Sequence, residues 1–349
     1  MTGENLKKII ISVTAVFFAA FLIIFSGEVR EAVSGAVYDC LEIIVPSLFA
    51  FSALAIYLQK SGLYKTVLKP LTLPLSKIMR TDEELCGIFL LSNIGGYPVG
   101  ATLLSALADQ NRLDRKDAAK LMCCCFGSGP SFIIGMVGKT VFNSTQAGAV
   151  LFASCFLSSL AVAATVFLSG NITLKKSQTR YDLGAECFIS SVSAAARAMF
   201  SVCTMIVIFS VFSAALGLIG VNGLFGESFG TVFSSILEVT RIKELSAEEY
   251  SMPVCAALLS FGGACVMLQI TAIAGGRFPL GKFLISRIIS AALSAAFAAV
   301  FTRLMPGVSE EVLAGHTAVS AFSGNAVLSA CLIAMCAILL LGDTRGKSI

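Results

Sequence analysis

Leu90-Leu91-Ser92-Asn93-Ile94-Gly95-Gly96-Tyr97-Pro98-Val99-Gly100-Ala101 places glycines, a proline and small polar side chains inside an otherwise apolar segment. A plain spanning helix has no use for them, because glycine and proline weaken or interrupt helical hydrogen bonding. A shorter echo, Leu258-Leu259-Ser260-Phe261-Gly262-Gly263, lies inside another apolar segment in the second half of the chain. Broken hydrophobic segments at corresponding places in two halves are a sequence pointer to a transporter's binding site.

Composition sets the class. Of 349 residues, 56% are hydrophobic and 13% charged, and the mean hydropathy is +0.88, far from the soluble average of about 25% charged residues. Apolar runs of about 18 residues or more recur along the whole length, so the expected fold is an all-α polytopic membrane protein. The net charge of +4 is small and the basic residues fall between apolar runs, a cytoplasmic-loop bias and not a nucleic-acid footprint. Most of the twelve cysteines, among them Cys155, Cys203, Cys265, Cys331 and Cys336, lie in apolar segments, where a free thiol acts as a small hydrophobe. The run Cys123-Cys124-Cys125 is not read as a metal site. Consecutive helical side chains diverge by about 100°, and His316 is the sole histidine.

Loop charge then sets a topology. Lys7 and Lys8 precede the apolar run from Ile9 to Phe25, which reads as a first membrane helix with its N-terminus in the cytoplasm. The next run, Leu41 to Leu58, carries Pro46-Ser47 and is followed by a loop holding Lys60, Lys65, Lys69, Lys77 and Arg80. A second basic loop, Asp109 to Lys120, follows the opening stretch. Two successive cytoplasmic loops require residues 86–106 to enter the membrane and turn back near Gly95-Gly96-Tyr97-Pro98, or else a full crossing breaks the charge rule at one loop. The segment from Ala118 to Phe142 is interrupted by Gly127-Ser128-Gly129-Pro130-Ser131, either a cavity-lining break or a close-packing kink.

Gln146 to Leu168 is an ordinary span, and the loop from Gly170 to Glu186 is basic. Ala198 to Leu218 spans, and Arg197 snorkels to the cytoplasmic surface. Thr231 to Ile242 is too short to cross and reads as a second hairpin ending in Glu238, Thr240 and Arg241. Spans from Met252 to Ala274, Phe283 to Leu304 and Gly324 to Leu341 complete about eight crossings and two re-entrant or broken segments, with both termini inside.

The chain divides into an N-terminal helix and outer loop (1–37), a first repeat (38–170), a cytoplasmic linker (171–186) and a second repeat (187–349). Thr81-Asp82-Glu83-Glu84 before Leu90-Leu91-Ser92 is matched by Ser246-Ala247-Glu248-Glu249 before Leu258-Leu259-Ser260. Because the first repeat begins with an inward span and the second with an outward one, the relation is an inverted two-fold repeat. The motif match pairs a hairpin with a span, an inconsistency that the sequence alone does not remove.

At four ordered motifs the chain resembles the sporulation integral membrane protein family of YlbJ type, within the wider group carrying a nucleoside-recognition "gate" domain. The motifs are Val45-Pro46-Ser47-Leu48-Phe49, Gly96-Tyr97-Pro98-Val99-Gly100-Ala101, Ser128-Gly129-Pro130-Ser131-Phe132-Ile133-Ile134-Gly135, and Ser260-Phe261-Gly262-Gly263 with Val266 and Gln269. The chain departs from the pattern at Ala50 and at Phe126-Gly127. The resemblance implies a multi-pass bacterial membrane protein acting at the forespore membrane, with dipicolinate as a small anionic cargo. Its implied partners are the lipid bilayer, that metabolite, and a second copy of the chain or other spore-envelope membrane proteins.

The candidate substrate-contacting residues are Ser47, Asn93, Gly95, Gly96, Tyr97, Ser128, Gly129, Ser131, Glu238, Ser260, Gly262, Gly263 and Gln269. Helix-end amides freed at the glycines suit a carboxylate. No nucleophile with a base, nucleotide loop or cofactor motif is read, so the expectation is transport without covalent chemistry and without a cofactor. A nucleoside or other small-metabolite transporter and a non-transporting scaffold are the competing readings.

Overall fold

Every regular element among the described residues is helical. The computed structural model describes residues 3–170, 172–175, 183–218, 227–245, 251–275 and 280–305. Six helices, Asn5–Ile24, Ser26–Ser61, Thr145–Ser169, Ala185–Leu218, Met252–Ile273 and Gly281–Leu304, are long and apolar enough to cross a membrane. The chain is therefore a multi-pass membrane protein. Of the other two expected crossings, the segment from Ala118 to Phe142 is broken in the middle, and the span from Gly324 to Leu341 lies outside the described residues, with His316, Cys331 and Cys336.

Helix α1 (Gly3–Ile24) is peripheral, with Phe17 74% exposed. Its ring contact to the bundle is Phe18 on Phe212, 4.8 Å between centroids. Helix α2 (Ser26–Asp39) runs through a π-helical turn, Cys40–Ile44, into α3 (Val45–Ser61), which Gly62 terminates at φ 73°. Short helices α4 (Tyr64–Val67) and α5 (Lys69–Met79) carry the first basic loop.

The opening stretch forms α6 (Glu83–Gly95) and α7 (Tyr97–Asp109), joined at Gly96 with φ 93° and ψ 173°. No residue with a Cβ adopts that backbone readily, while Pro98 in the first turn of α7 presets the outgoing helix. Each arm has 13 residues, about 20 Å of helix, which is short of a bilayer's hydrocarbon core of about 30 Å. The arms fold back on each other. A Cβ added at Gly100 would stand 3.2 Å from Ser92 Oγ. At the open end Arg112 donates two bonds to the Glu84 carboxylate, at 2.8 and 2.9 Å. Of the two geometries the charge pattern left open, the hairpin is the one adopted.

Helix α8 (Arg115–Met122) stops at the cysteine run. Residues 126–129 have no regular structure, Gly129 takes φ 76°, and the chain resumes as a π-helix, Ser131–Val137, and α9 (Gly138–Thr140). Ser144 caps α10 (Thr145–Ser169) by accepting from the Ala147 amide. Glycines set the spacing here: a Cβ on Gly138 would lie 2.7 Å from the Gly148 Cα.

After the linker, α11 (Ala185–Leu218) is one helix of 34 residues, with Arg197 exposed. Over the expected hairpin at 231–242, helix α12 (Glu227–Leu237) packs on a 3-10 helix, Val239–Glu244, joined to it at Glu238. Helices α13 (Met252–Phe261) and α14 (Gly263–Ile273) are divided by Gly262 at φ 85° and Gly263 at φ 77°. Helix α15 (Leu280–Leu304) packs on α13 and α10. Serines join these three: Ser158 Oγ donates to Ser290 O at 2.8 Å, and Ser294 Oγ to Ala256 O at 3.0 Å. This is small-residue packing of membrane helices.

Ser246-Ala247-Glu248-Glu249 lies outside the described residues.

Two measurements check this architecture. In a cysteine-depleted background, single cysteines at Glu83 and Lys116 are expected to react with an impermeant thiol reagent from the same membrane face; labelling from opposite faces would refute the hairpin. Gly100→Ala forces a Cβ to 1.9 Å from the Cys125 carbonyl oxygen and is expected to cost about 3 kcal/mol or more. Gly135→Ala meets nothing within 4 Å and is expected to stay within about 1 kcal/mol. Thermal unfolding in detergent compares the two.

Candidate functional site

Four interruptions of helical structure meet in the interior: the Gly96 tip, the Phe126–Pro130 break, the Gly262-Gly263 break and the Glu238 joint. A Cβ on Gly129 would lie 3.1 Å from Ile94 O and 3.3 Å from the Gly96 Cα. One on Gly263 would lie 3.1 Å from the Val239 amide nitrogen, and one on Gly262 would collide with the Phe126 ring at 2.3 Å. Glycine is required at these points for close approach of backbones as well as for the dihedral angle.

A hydrogen-bonded plug ties three of the breaks together. The Tyr97 hydroxyl donates to Leu259 O at 2.7 Å. Ser128 Oγ lies 2.5 Å from Tyr97 Oη, to which it donates, and 3.2 Å from Leu259 O. Leu259 sits one turn before Gly263, where the chain leaves helical geometry, so its carbonyl takes a partner from another element. Tyr97 is 5% and Ser128 2% exposed. Tyr97 and Phe126 pack with ring centroids 4.7 Å apart.

Small cavities flank the plug. Asn93, Phe126, Gly127, Ser128, Leu259 and Ser260 are among the residues lining one of about 10 Å³. Tyr97, Val202, Glu238, Thr240 and Gln269 are among those lining another of about 20 Å³. Each holds no more than about one water, so the junction is closed. The Asn93 amide donates to Phe89 O at 2.8 Å and reaches Cys124 O at 3.5 Å. Gln269 Nε2 donates to Cys265 Sγ at 3.1 Å and lies 3.5 Å from Val202 O.

Glu238 is 3% exposed; its carboxylate accepts from the Thr240 amide at 2.9 Å and from the Thr240 hydroxyl. It lines both the second cavity and an open vestibule of about 430 Å³ that also holds Glu31, Asp39, Ser210, Arg241 and Lys243. Lys243 pairs there with Asp39, and Arg241 with Glu244 at 2.9 Å.

Of the residues read from sequence, Asn93, Gly95, Gly96, Tyr97, Ser128, Gly129, Glu238, Ser260, Gly262, Gly263 and Gln269 come together at the junction. Ser47 and Ser131 do not. Ser47 donates to Ile44 O on its own helix at 3.2 Å, while Ile44 and Leu48 face the cavity. Ser131 is half-buried at the start of the π-helix and lines neither cavity. The hydroxyl of α3 that reaches the junction is Ser52, which donates to Gly95 O at 3.0 Å.

The residue that sequence reading passed over is Arg287. It is fully buried on α15, its guanidinium carbon 4.5 Å from the Phe126 ring centroid. An arginine one turn inside the apolar run from Phe283 to Leu304, whose other arginine, Arg303, stands at the far end, was the available signal. No group of three or more His, Cys, Asp or Glu suited to a metal occurs among the described residues, and the cysteines described are free.

No family model and no solved structure matches the chain. Among curated proteins it is similar to the sporulation integral membrane protein YlbJ of Bacillus subtilis (strain 168), with 26% identity over 169 residues. The match takes in 48% of this chain and 41% of the relative, so the chain spans about two fifths of the length of the curated relative it matches. On these findings the chain is a multi-pass membrane protein with partial similarity to a sporulation integral membrane protein.

Proposed function

We propose that the protein serves spore formation in the forespore membrane, as a transporter-like protein that moves a small anionic metabolite, dipicolinate, by alternating access. The carrying observation is the plug: Tyr97, Ser128 and Leu259 close the space between two minimal cavities where four helix breaks converge. Broken helices at a buried centre supply backbone groups to a substrate without covalent chemistry. The N-terminal ends of α7 and α14 begin at this centre, and partial positive charge at helix N-termini favours an anion. The resemblance to the YlbJ-type family supplies the cargo.

In this reading the junction is occluded, and the vestibule beside Glu238 is the entrance on the non-cytoplasmic side, opposite the basic loops. The two parts, 38–170 and 187–349, form an inverted repeat, and motion of one against the other opens the plug to each side in turn. Opening exchanges the Tyr97 to Leu259 bond for bonds to cargo, so the carbonyl is not left bare, an outcome that would cost about 1–3 kcal/mol.

The test is uptake of labelled dipicolinate by proteoliposomes holding the full chain. Wild-type protein is expected to show saturable uptake, and Asn93→Ala and Gln269→Ala to lower it at least fivefold. Tyr97→Phe, which removes the plug's donor, is expected to raise passive leak and lower accumulation. Normal accumulation in all three variants would overturn the cavity; no uptake by the wild-type protein, with normal dipicolinate content in spores carrying the variants, would favour a scaffold. Saturable uptake of a nucleoside with none of dipicolinate would overturn the anionic cargo.

A further inference from the structure

The interior holds a positive charge that the plug does not use. Arg287 is 0% exposed within the candidate span Gly281–Leu304. Among the described residues no carboxylate forms an ion pair with it. Its guanidinium donates to the Cys123 carbonyl, and Nε lies 3.4 Å from Ser286 Oγ. Nη1 is buried with no hydrogen-bond partner. Rings cover the rest: Phe126 at 4.5 Å and Phe283 at 5.2 Å from the guanidinium carbon.

These contacts compensate part of the cost of a cation at membrane depth. The Cys123 carbonyl belongs to the C-terminal end of α8, where a cation is favoured, and a guanidinium over a ring gains further attraction. A carbonyl and two rings do not neutralise a full charge, however, and intramembrane arginines ordinarily face partners or a polar cavity. Phe126 supplies the direction. The ring that covers Arg287 on one side packs against Tyr97 at 4.7 Å, touches the space above Gly262 and lines the first cavity with Asn93 and Ser128. One aromatic ring therefore separates the guanidinium from the junction.

Resting on the transport reading above, we propose that Arg287 is the anion-binding residue of the cargo site, and that Phe126 is the movable ring that covers it when the site is empty. A carboxylate entering the junction displaces Phe126 and pairs with the guanidinium fork, which supplies two parallel donors. Arginine keeps its charge in this setting, so the site selects carboxylates over neutral molecules of the same shape.

The experiment uses the full chain, purified and reconstituted, with dipicolinate as the anionic probe and pyridine-2,6-dicarboxamide as its uncharged counterpart. Equilibrium binding and uptake are measured in parallel. Wild-type protein is expected to bind dipicolinate and not the dicarboxamide. Arg287→Gln, monodisperse in detergent, is expected to bind dipicolinate at least tenfold more weakly. Arg287→Lys keeps a buried cation but not the fork, and is expected to bind three- to tenfold more weakly while still rejecting the dicarboxamide. Wild-type affinity in either variant, or a wild type that binds no dipicolinate, overturns the assignment. Binding that depends on Arg287 without any uptake retires the transport reading and leaves this one standing. Uptake and affinity unaltered in Arg287→Gln do the reverse.

Discussion

The structure depends on one constraint: a backbone carbonyl or amide released by a helix break inside a membrane has no water to turn to and must find its partner in the protein. The breaks here are provided for by side chains from distant parts of the chain. Tyr97 takes Leu259 O, Ser52 takes Gly95 O, Asn93 reaches Cys124 O and Arg287 takes Cys123 O. Each of these bonds joins one broken element to another element. The interruptions that would weaken an isolated helix are therefore what fasten the interior, and the polar centre follows from bringing them together.

Close packing makes those bonds reachable. Gly100 lets α7 approach Cys125 O, Gly127 passes over Asn93, and Gly138 meets Gly148 backbone to backbone. With cavities of about 10 and 20 Å³ on either side of the plug, a cargo larger than one water requires the packed elements to separate. In the proposed transport cycle the site is bistable: its side chains satisfy each other when empty and are given up together when occupied. The same argument places Phe126, wedged between Arg287 and Tyr97, at the point where polar closure and ring packing have to yield in one step.

Much of this was legible in the sequence because its causes are local. Basic loops on both sides of residues 86–106 left a turn or a crossing against the charge rule, and the glycines and Pro98 said where a turn would fall. The Gly127–Pro130 and Gly262-Gly263 interruptions were visible for the same reason. Phase was not legible. On α3 Leu48 and Ser52 lie one turn apart on the inward face that Ile44 begins, and Ser47 turns back to Ile44 O. Ser131 opens a π-helical turn and faces neither cavity. Pairings across 130 or more residues, such as Tyr97 with Leu259 or Arg287 with Cys123, have no local signature. The similar residues Gly95-Gly96 and Gly262-Gly263 serve a tip in one place and a break along a span in the other, the pairing of hairpin with span that the motifs already carried.

The clasp of Arg112 on Glu84 has a mechanical meaning. It closes the open end of the α6–α7 hairpin and is nearly buried, the two side chains being 8% and 14% exposed, so the arms move as one stiff lever. The segment that follows α10 is fastened to the same end: the Lys175 amide donates to Arg112 O at 2.9 Å, and the Leu174 amide to Asp82 Oδ2 at 3.3 Å. That segment leads into the second half of the chain. In the proposed cycle a pull along it acts on the butt of the lever, far from the tip, and a small rotation there sweeps Gly96 and Tyr97 across the plug.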